Sequence, residues 1–253
     1  MTAEIYDPVA GLLNLGISVV LVAAVIGLLW LKKLGLEKDL AVAVARAVVQ
    51  LMAMVMIIAF IFETENLILV TGMLLFMMAF AAKTSAERAE KLKNPFRVTF
   101  PSIATGSGLI IIILILSGVI PLTAEYIIPL GSMAVGGTMI VCSLILNRYV
   151  AELSSNRSLI EAAMCLGADD EEAIMPHIRQ SIRASLIPSV DRMKSLGIVI
   201  LPGAMAGMLI GGVNPVWAAE YQLVIMFMIF SSEALSALIA ITLVKKDFDI
   251  NRL

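Results

Sequence analysis

Charge is what this sequence has least of. Only 15% of its 253 residues are Asp, Glu, Lys or Arg, against 60% hydrophobic, with a mean hydropathy of +0.99. Soluble domains carry about 25% charged and roughly 45–50% apolar residues. So few charges cannot build a water-facing shell, and the solvent of this chain is lipid. Histidine occurs once, as His177, which excludes a histidine-built metal site. Cysteine occurs twice, as Cys142 in an apolar stretch and Cys165 in a loop, which is no disulfide framework. No G-x-x-x-x-G-K-S/T phosphate loop is present, so if ATP drives this protein a separate chain must bind it. Also missing are His-Glu-x-x-His, a His-paired nucleophile and a pair of intramembrane aspartates, so no catalytic residue and no intramembrane enzyme are expected. The net charge of −2 carries no argument for a nucleic-acid partner, and none is expected. In a membrane protein what matters is where the charges sit.

What the sequence does have is long apolar runs. A bilayer core of about 30 Å needs roughly 20 apolar residues as helix, because only internally bonded backbone survives in lipid. Runs of that kind predict an all-α, polytopic protein with about seven spans, near 9–31, 40–62, 67–82, 100–120, 126–146, 195–213 and 221–244. Glu4 and Asp7 precede the first run and Lys32–Lys33 follow it, the reverse of a secretory signal. It reads as a retained span with its N-terminus outside. Threading the spans places all 18 Lys and Arg residues on one face. These are Lys32, Lys33, Lys38 and Arg46, then Lys83, Arg88, Lys91, Lys93 and Arg97. Arg148, Arg157, Arg179, Arg183, Arg192 and Lys194 come next, and Lys245, Lys246 and Arg252 close the chain. Glu4, Asp7, Glu63, Glu65, Glu125 and Glu220 collect on the other face. Cytoplasmic loops carry the positive excess, so the expected topology is N-out, C-in, in a cell membrane. The whole chain, 1–253, is read as a single transmembrane domain.

One connection is long. The stretch 147–194 is read as a cytoplasmic segment, and long loops in compact proteins are usually functional. Within it Glu161-Ala-Ala-Met-Cys-Leu-Gly167 predicts a short helix stopped at glycine. Asp169 predicts an N-cap, with Glu172 completing a capping box and Glu171 suiting the positive helix end. Ile174, Ile178, Ile182 and Leu186 form an apolar stripe beside Arg179 and Arg183, with a kink expected at Pro176. Such a basic amphipathic helix either lies in the membrane interface or docks a soluble partner.

An ordered series of residues resembles a known family. It comprises Glu161…Leu166-Gly167-Ala168, Arg183-Ala-Ser-Leu-Ile-Pro188, and Met193…Gly197-Ile-Val-Ile-Leu201-Pro202-Gly203-Ala-Met205-Ala-Gly207. Gly211, Pro215, Tyr221-Gln222 and Met226 follow, and Arg46…Gln50-Leu51 and Ile128-Pro129-Leu130 match in the first half. The chain resembles the membrane-spanning subunit of the FetB type of ABC transporter, a family proposed to export iron in bacteria, with plant relatives linked to aluminium tolerance and UDP-glucose transport. It differs from the family pattern at Gly137, where an asparagine is usual, and at Met208, where a glutamine stands. Glu161, Ala162, Ala163, Leu166 and Gly167 resemble the coupling helix that seats in a partner ATPase. The resemblance implies a homodimeric permease with two copies of a separate ATPase that binds ATP and Mg. Iron, another metal, a nucleotide sugar or another small solute remain open as cargo. An ATP-independent channel or secondary transporter is the competing class.

Candidate pathway residues follow from chemistry that is out of place in lipid. Glu233, between Ser232 and the rest of the last run, would cost on the order of 2.5–3.5 kcal/mol at a helix centre. It must therefore face a cavity or a partner group, or carry a proton, or serve as a structural hydrogen-bond acceptor. Gln50 supports a weaker version of the argument, and Gln222 lies in the matched series. Leu201-Pro202-Gly203 interrupts the sixth span and Pro129, Gly131, Gly136 and Gly137 the fifth; interrupted spans either kink or line transport sites. Gly203, Gly207 and Gly211 make a small-residue stripe suited to helix packing and to a dimer contact. Met205 and Met208 share a face, but methionine is more often a gap-filler than a metal ligand.

Overall fold

The computed structural model describes residues 8–245 except Leu34, Glu65, Glu90, Lys91 and Lys93, with side chains from Leu13 onward. Of the flanking charges assigned above, Glu4, Asp7, Glu65, Lys91, Lys93, Lys246 and Arg252 lie outside the described residues. The described residues are almost entirely helical, with no β-strand among them. In order they form α1 (Pro8–Leu31), α2 (Glu37–Thr64), α3 (Leu67–Glu87), α4 (Phe96–Leu116) and α5 (Ala124–Ser155). Then come α6 (Arg157–Cys165), α7 (Asp170–Ser195), α8 (Gly203–Ile210) and α9 (Pro215–Val244). Among the described residues six helices, α1 to α5 and α9, are long and apolar enough to cross a membrane.

The chain divides into two compact units, Met1–Thr64 and Glu65–Leu253. In the first, α1 and α2 pair as a hairpin whose turn holds Lys33 and Gly35 at positive φ. Leucine, valine and isoleucine side chains are exposed all round both helices, the pattern of helices surrounded by an apolar medium.

In the second unit α9 packs between α4 and α5, α3 covers α4 and α5, and α7 lies against α5 and α9. One continuous core joins these elements, running from Ile103 and Ile145 through Tyr149 and Leu153 to Ile160, Ile174 and Ile178. A smaller cluster of Ile111, Leu130, Ala134, Ile225 and Met228 fills the opposite end of α4, α5 and α9. The helix ends follow local chemistry. Asn66 and Asn214 cap α3 and α9 by accepting from Ile68 and Val216 amides, each at 2.9 Å. Pro215 opens α9, where its missing N–H costs nothing.

Three expectations are corrected. The stretch 195–213 is no hydrocarbon-length helix. Helix α7 runs to Ser195, residues 196–202 form a turn, and α8 has only eight residues. Ser195 O accepts the amides of Ile198, Val199 and Ile200, and Gly197 takes φ +81°. Pro202 then removes an amide donor and pushes Leu201 away from the helical region. Apolar composition is indifferent to this; backbone sterics are not. Second, α5 passes unbroken through Pro129 and its glycines and continues to Ser155, because Tyr149 and Leu153 bury against the segment that follows. Third, Ile174 and Ile178 are buried in the protein's own core, with Ile182 and Leu186 packed beside them. That apolar stripe is therefore not available to the membrane interface, and α7 runs helically through Pro176 and Pro188.

Candidate functional site

The inward face of α9 is unusually polar for a membrane-length helix. Gln222, Ser232, Glu233 and Ser236 are all buried, and separations of three (233 to 236), four (232 to 236) and eleven (222 to 233) keep them on one side of the helix. Two glycines bring the neighbouring helices onto it. A Cβ at Gly106 of α4 would lie 2.7 Å from Ser236 Cβ and 3.0 Å from the Ser232 carbonyl oxygen. A Cβ at Gly137 of α5 would lie 2.6 Å from Glu233 Oε1 and 3.0 Å from Ile229 Cγ2. No other residue type fits without displacing α4 or the carboxylate.

Glu233 is fully enclosed, its side chain 1% exposed, and its Oε1 accepts from Nη2 of Arg192 near the end of α7. The same Nη2 donates to Ser189 Oγ at 3.3 Å. Arg192 itself is 38% exposed, so the pair joins a dry carboxylate to a half-open guanidinium. Removing one partner of a buried ion pair typically costs about 3–5 kcal/mol, because the other charge is left uncompensated. The second carboxylate oxygen, Oε2, has no hydrogen-bond partner, and neither do Ser232 Oγ, Ser236 Oγ or Gln222 Oε1.

Apart from the Tyr149 hydroxyl, which is also unpaired, these orphans differ from the rest of the same core. Ser102, Ser107, Thr138, Ser181 and Ser185 each donate to a carbonyl three or four residues back in their own helix. Thr99 donates across to Ala82 O at 2.9 Å, and Ser143 to Ser85 Oγ at 3.1 Å. Buried polar groups are normally paired, since leaving one unmade costs roughly 1–3 kcal/mol. The unpaired groups are concentrated on α9, three of them at Ser232, Glu233 and Ser236.

The other sequence candidates fall elsewhere. Gln222 lies three turns from Glu233, about 16 Å along the helix. Gln50 is exposed on α2, in the first unit. Pro202 is the N-cap residue of α8. Met205 and Met208 are half-buried on α8. Met208 lines an open cavity of about 540 Å³ with Tyr126, Val213, Trp217, Glu220, Tyr221 and Val224. Gly203, Gly207 and Gly211 form an exposed stripe, and no atom lies within 4 Å of where a Cβ would stand at Gly203 or Gly207. Among the described residues no group of three or more His, Cys, Asp and Glu is placed to hold a metal ion. Sequence reasoning missed Arg192, assigning it to a loop. Its partner is 41 residues away, and no local signal links them.

The segment that begins α6 reads as expected. Ile160 anchors it in the core at 1% exposure, while Leu159, Glu161, Ala162 and Leu166 face outward, Leu166 at 90%. Ala163 packs against the core. Gly167 takes φ +97°, so that its amide and that of Ala168 close back onto Met164 O and Ala163 O, the glycine-terminated helix end. Asp169 accepts from Glu172 N at 2.7 Å in a complete capping box. Glu161 pairs with Arg157 at 2.8 Å, and Glu171 accepts from Lys245 at the end of α9, also at 2.8 Å. A cavity of about 640 Å³ borders this corner, lined by Asp169, Glu171, Glu172, Met175, Pro176 and Arg179.

Long apolar helices enclosing a polar stripe define a polytopic helical membrane protein. The chain belongs to the uncharacterised protein family UPF0014, whose pattern matches residues 12–248. It is 35% identical over 235 residues to the probable iron export permease protein FetB of Escherichia coli, covering 93% of this chain and 91% of that one. The UPF0014 membrane protein STAR2 of Oryza sativa is 30% identical, over 91% of this chain and 81% of its own. ALUMINUM SENSITIVE 3 of Arabidopsis thaliana is also 30% identical, over 90% and 84%. No solved structure matches.

Proposed function

We propose that this chain is the membrane-spanning permease subunit of an ABC-type transporter. It works as a homodimer with two copies of a separate ATPase, which binds the ATP and Mg, and it exports iron or another small solute across the cell membrane. The observation that carries the reading is α6, a short helix fixed by Ile160 that turns Leu159, Glu161, Ala162 and Leu166 outward. An exposed leucine on a helix whose other face is locked into the core suits a groove in a partner chain. Residues 166–169 join it directly to α7, whose far end holds Arg192 on Glu233. Similarity to the probable iron export permease protein FetB of Escherichia coli supports export of iron.

In this reading Lys245 marks the cytoplasmic face, and Glu233 lies about 18 Å inward along α9 at 1.5 Å per residue. The end of α7, the turn at 196–202 and α8 then make one broken crossing, which keeps the N-out, C-in threading. Broken crossings expose helix ends and carbonyls of the sort that line transport sites. Glu233, Pro202, Met205, Met208 and Gln222 border that crossing and the pathway; Gln50, in the first unit, is a pathway candidate on its sequence chemistry alone. The Gly203, Gly207 and Gly211 stripe is the dimer contact.

The test is reconstitution of the permease with its ATPase in liposomes. Leu166→Glu leaves folding intact, because the side chain makes little contact within the chain, and abolishes both complex formation and cargo-stimulated ATP hydrolysis. Transport that proceeds equally well without any ATPase would overturn the reading in favour of a channel or secondary transporter.

A further inference from the structure

We propose that Glu233, with the hydroxyls of Ser232 and Ser236, is a binding site for a small hard cation, and that the Arg192 guanidinium is its resident occupant, displaced when cargo binds. This deepens the permease reading above and rests on it.

The argument begins from charge. Among the described residues Glu233 is the only buried carboxylate, and one cation already neutralises it. Neutral or anionic cargo in Arg192's place would leave the carboxylate unpaired or facing a like charge unless a proton bound with it. A cation would not. Exchange of one positive group for another keeps the carboxylate paired at the beginning and end of the step, although a divalent ion brings one positive charge more than the guanidinium it replaces, which keeps the site weak.

The second strand is the unmet hydrogen-bonding capacity. Glu233 Oε2, Ser232 Oγ and Ser236 Oγ are buried without partners, in a core where the comparable hydroxyls of Ser102, Ser107 and Thr138 bond to their own helix. Carboxylate and hydroxyl oxygens are hard donors that suit Mg(II), Mn(II) or Fe(II) rather than Cu(I). A single carboxylate makes a weak site, which a transporter needs if its cargo is to leave.

The third strand is mobility of the occupant. Arg192 is more than a third exposed and sits three residues before the helix ends, next to the Gly197 turn. The opposite end of α7 is tied to the α6 corner by the Asp169 capping box and to α9 by the Glu171–Lys245 pair. A displacement of α6 is thereby carried along α7 to the guanidinium. Arg192 is in this sense a positioning residue, and Glu233 the binding one.

The probe is Mn(II), followed by electron paramagnetic resonance on the full-length chain in nanodiscs without any ATPase. Wild type binds one Mn(II) per chain weakly. Arg192→Gln, which empties the carboxylate, tightens that binding about tenfold or more, and Mn(II) raises its melting temperature in a dose-dependent way. Glu233→Gln abolishes saturable binding, and Ser232→Ala with Ser236→Ala weakens it. If folded Arg192→Gln binds no tighter than wild type, or Glu233→Gln binds as wild type does, the proposal is wrong. Should Arg192→Gln fail to fold, Arg192→Lys and the neutral double variant Arg192→Gln/Glu233→Gln carry the test. The lysine variant must bind Mn(II) more tightly than wild type and the double variant not at all; any other pattern overturns the exchange. Because no ATPase is present, failure here leaves the permease reading untouched. Loss of the ATPase complex in the reconstitution assay would likewise not alter Mn(II) binding.

Discussion

Helix α4 carries two glycines whose replacement by alanine should have opposite effects. At Gly106 the added methyl would stand 2.7 Å from Ser236 Cβ and 3.0 Å from backbone atoms of Ser232 and Ser236. Carbon atoms settle at about 3.5–4.0 Å, so α4 and α9 must separate by roughly 1 Å. The obstructing atoms are backbone and a Cβ fixed to it, so no side chain can simply swing aside. Overpacking costs about 1–3 kcal/mol, and toward the upper half, about 2–3 kcal/mol, where the obstacle is rigid. The better helix propensity of alanine returns about 0.8–1.0 kcal/mol. The net loss is about 1–2 kcal/mol, or roughly 2–8 °C in Tm at about 2–4 °C per kcal/mol. At Gly108 the new Cβ would meet only Met78 Cε, at 3.7 Å, an ordinary contact. There the propensity gain stands alone, and stability rises by up to about 1 kcal/mol. Thermal unfolding of Gly106→Ala and Gly108→Ala in the same detergent measures the difference directly. Equal shifts, or a Gly106→Ala variant as stable as wild type, would refute the close α4–α9 crossing and with it the enclosure of Glu233.

The unpartnered hydroxyls make a second prediction: Ser232→Ala and Ser236→Ala change stability by less than about 0.5 kcal/mol or increase it, whereas Thr99→Val, which loses the bond to Ala82 O, costs about 1 kcal/mol. Detergent unfolding separates the two cases. Asp169→Ala removes the capping box at the start of α7 and lowers stability by about 1 kcal/mol, with faster amide exchange confined to the first turn of α7. Cys165 is exposed on α6 and Cys142 is buried. A membrane-impermeant maleimide should therefore label Cys165 in inside-out vesicles and not in intact cells, and reach Cys142 only after denaturation. Labelling of Cys165 from outside the cell would reverse the orientation.

Much was legible where the cause is local. Gly167 as a helix stop and the Asp169–Glu172 box are short-range backbone chemistry, and both are found as read. Glu233 was singled out because a carboxylate in an apolar run is anomalous wherever its helix lies. The 195–213 run shows the limit of composition: its hydropathy suits a span, but Gly197, the β-branched Ile198-Val199-Ile200 and Pro202 fold it as turn and short helix. The Gly203, Gly207 and Gly211 stripe was visible as a pattern, yet among the described residues no other element packs on Gly203 or Gly207.

By itself, the sequence determined that the solvent is lipid, where six membrane-length helices lie, and which side chains are anomalous there. Hydrophobic transfer and helix capping act over a few residues and need no knowledge of neighbours. Only the tertiary structure decided that Gly106 and Gly137 close on α9, that Ser232 and Ser236 go unpaired, and that Arg192 is the cation facing Glu233. Those facts depend on how helices far apart in the chain approach one another, and a buried charge selects its counter-ion from whatever that packing brings within reach.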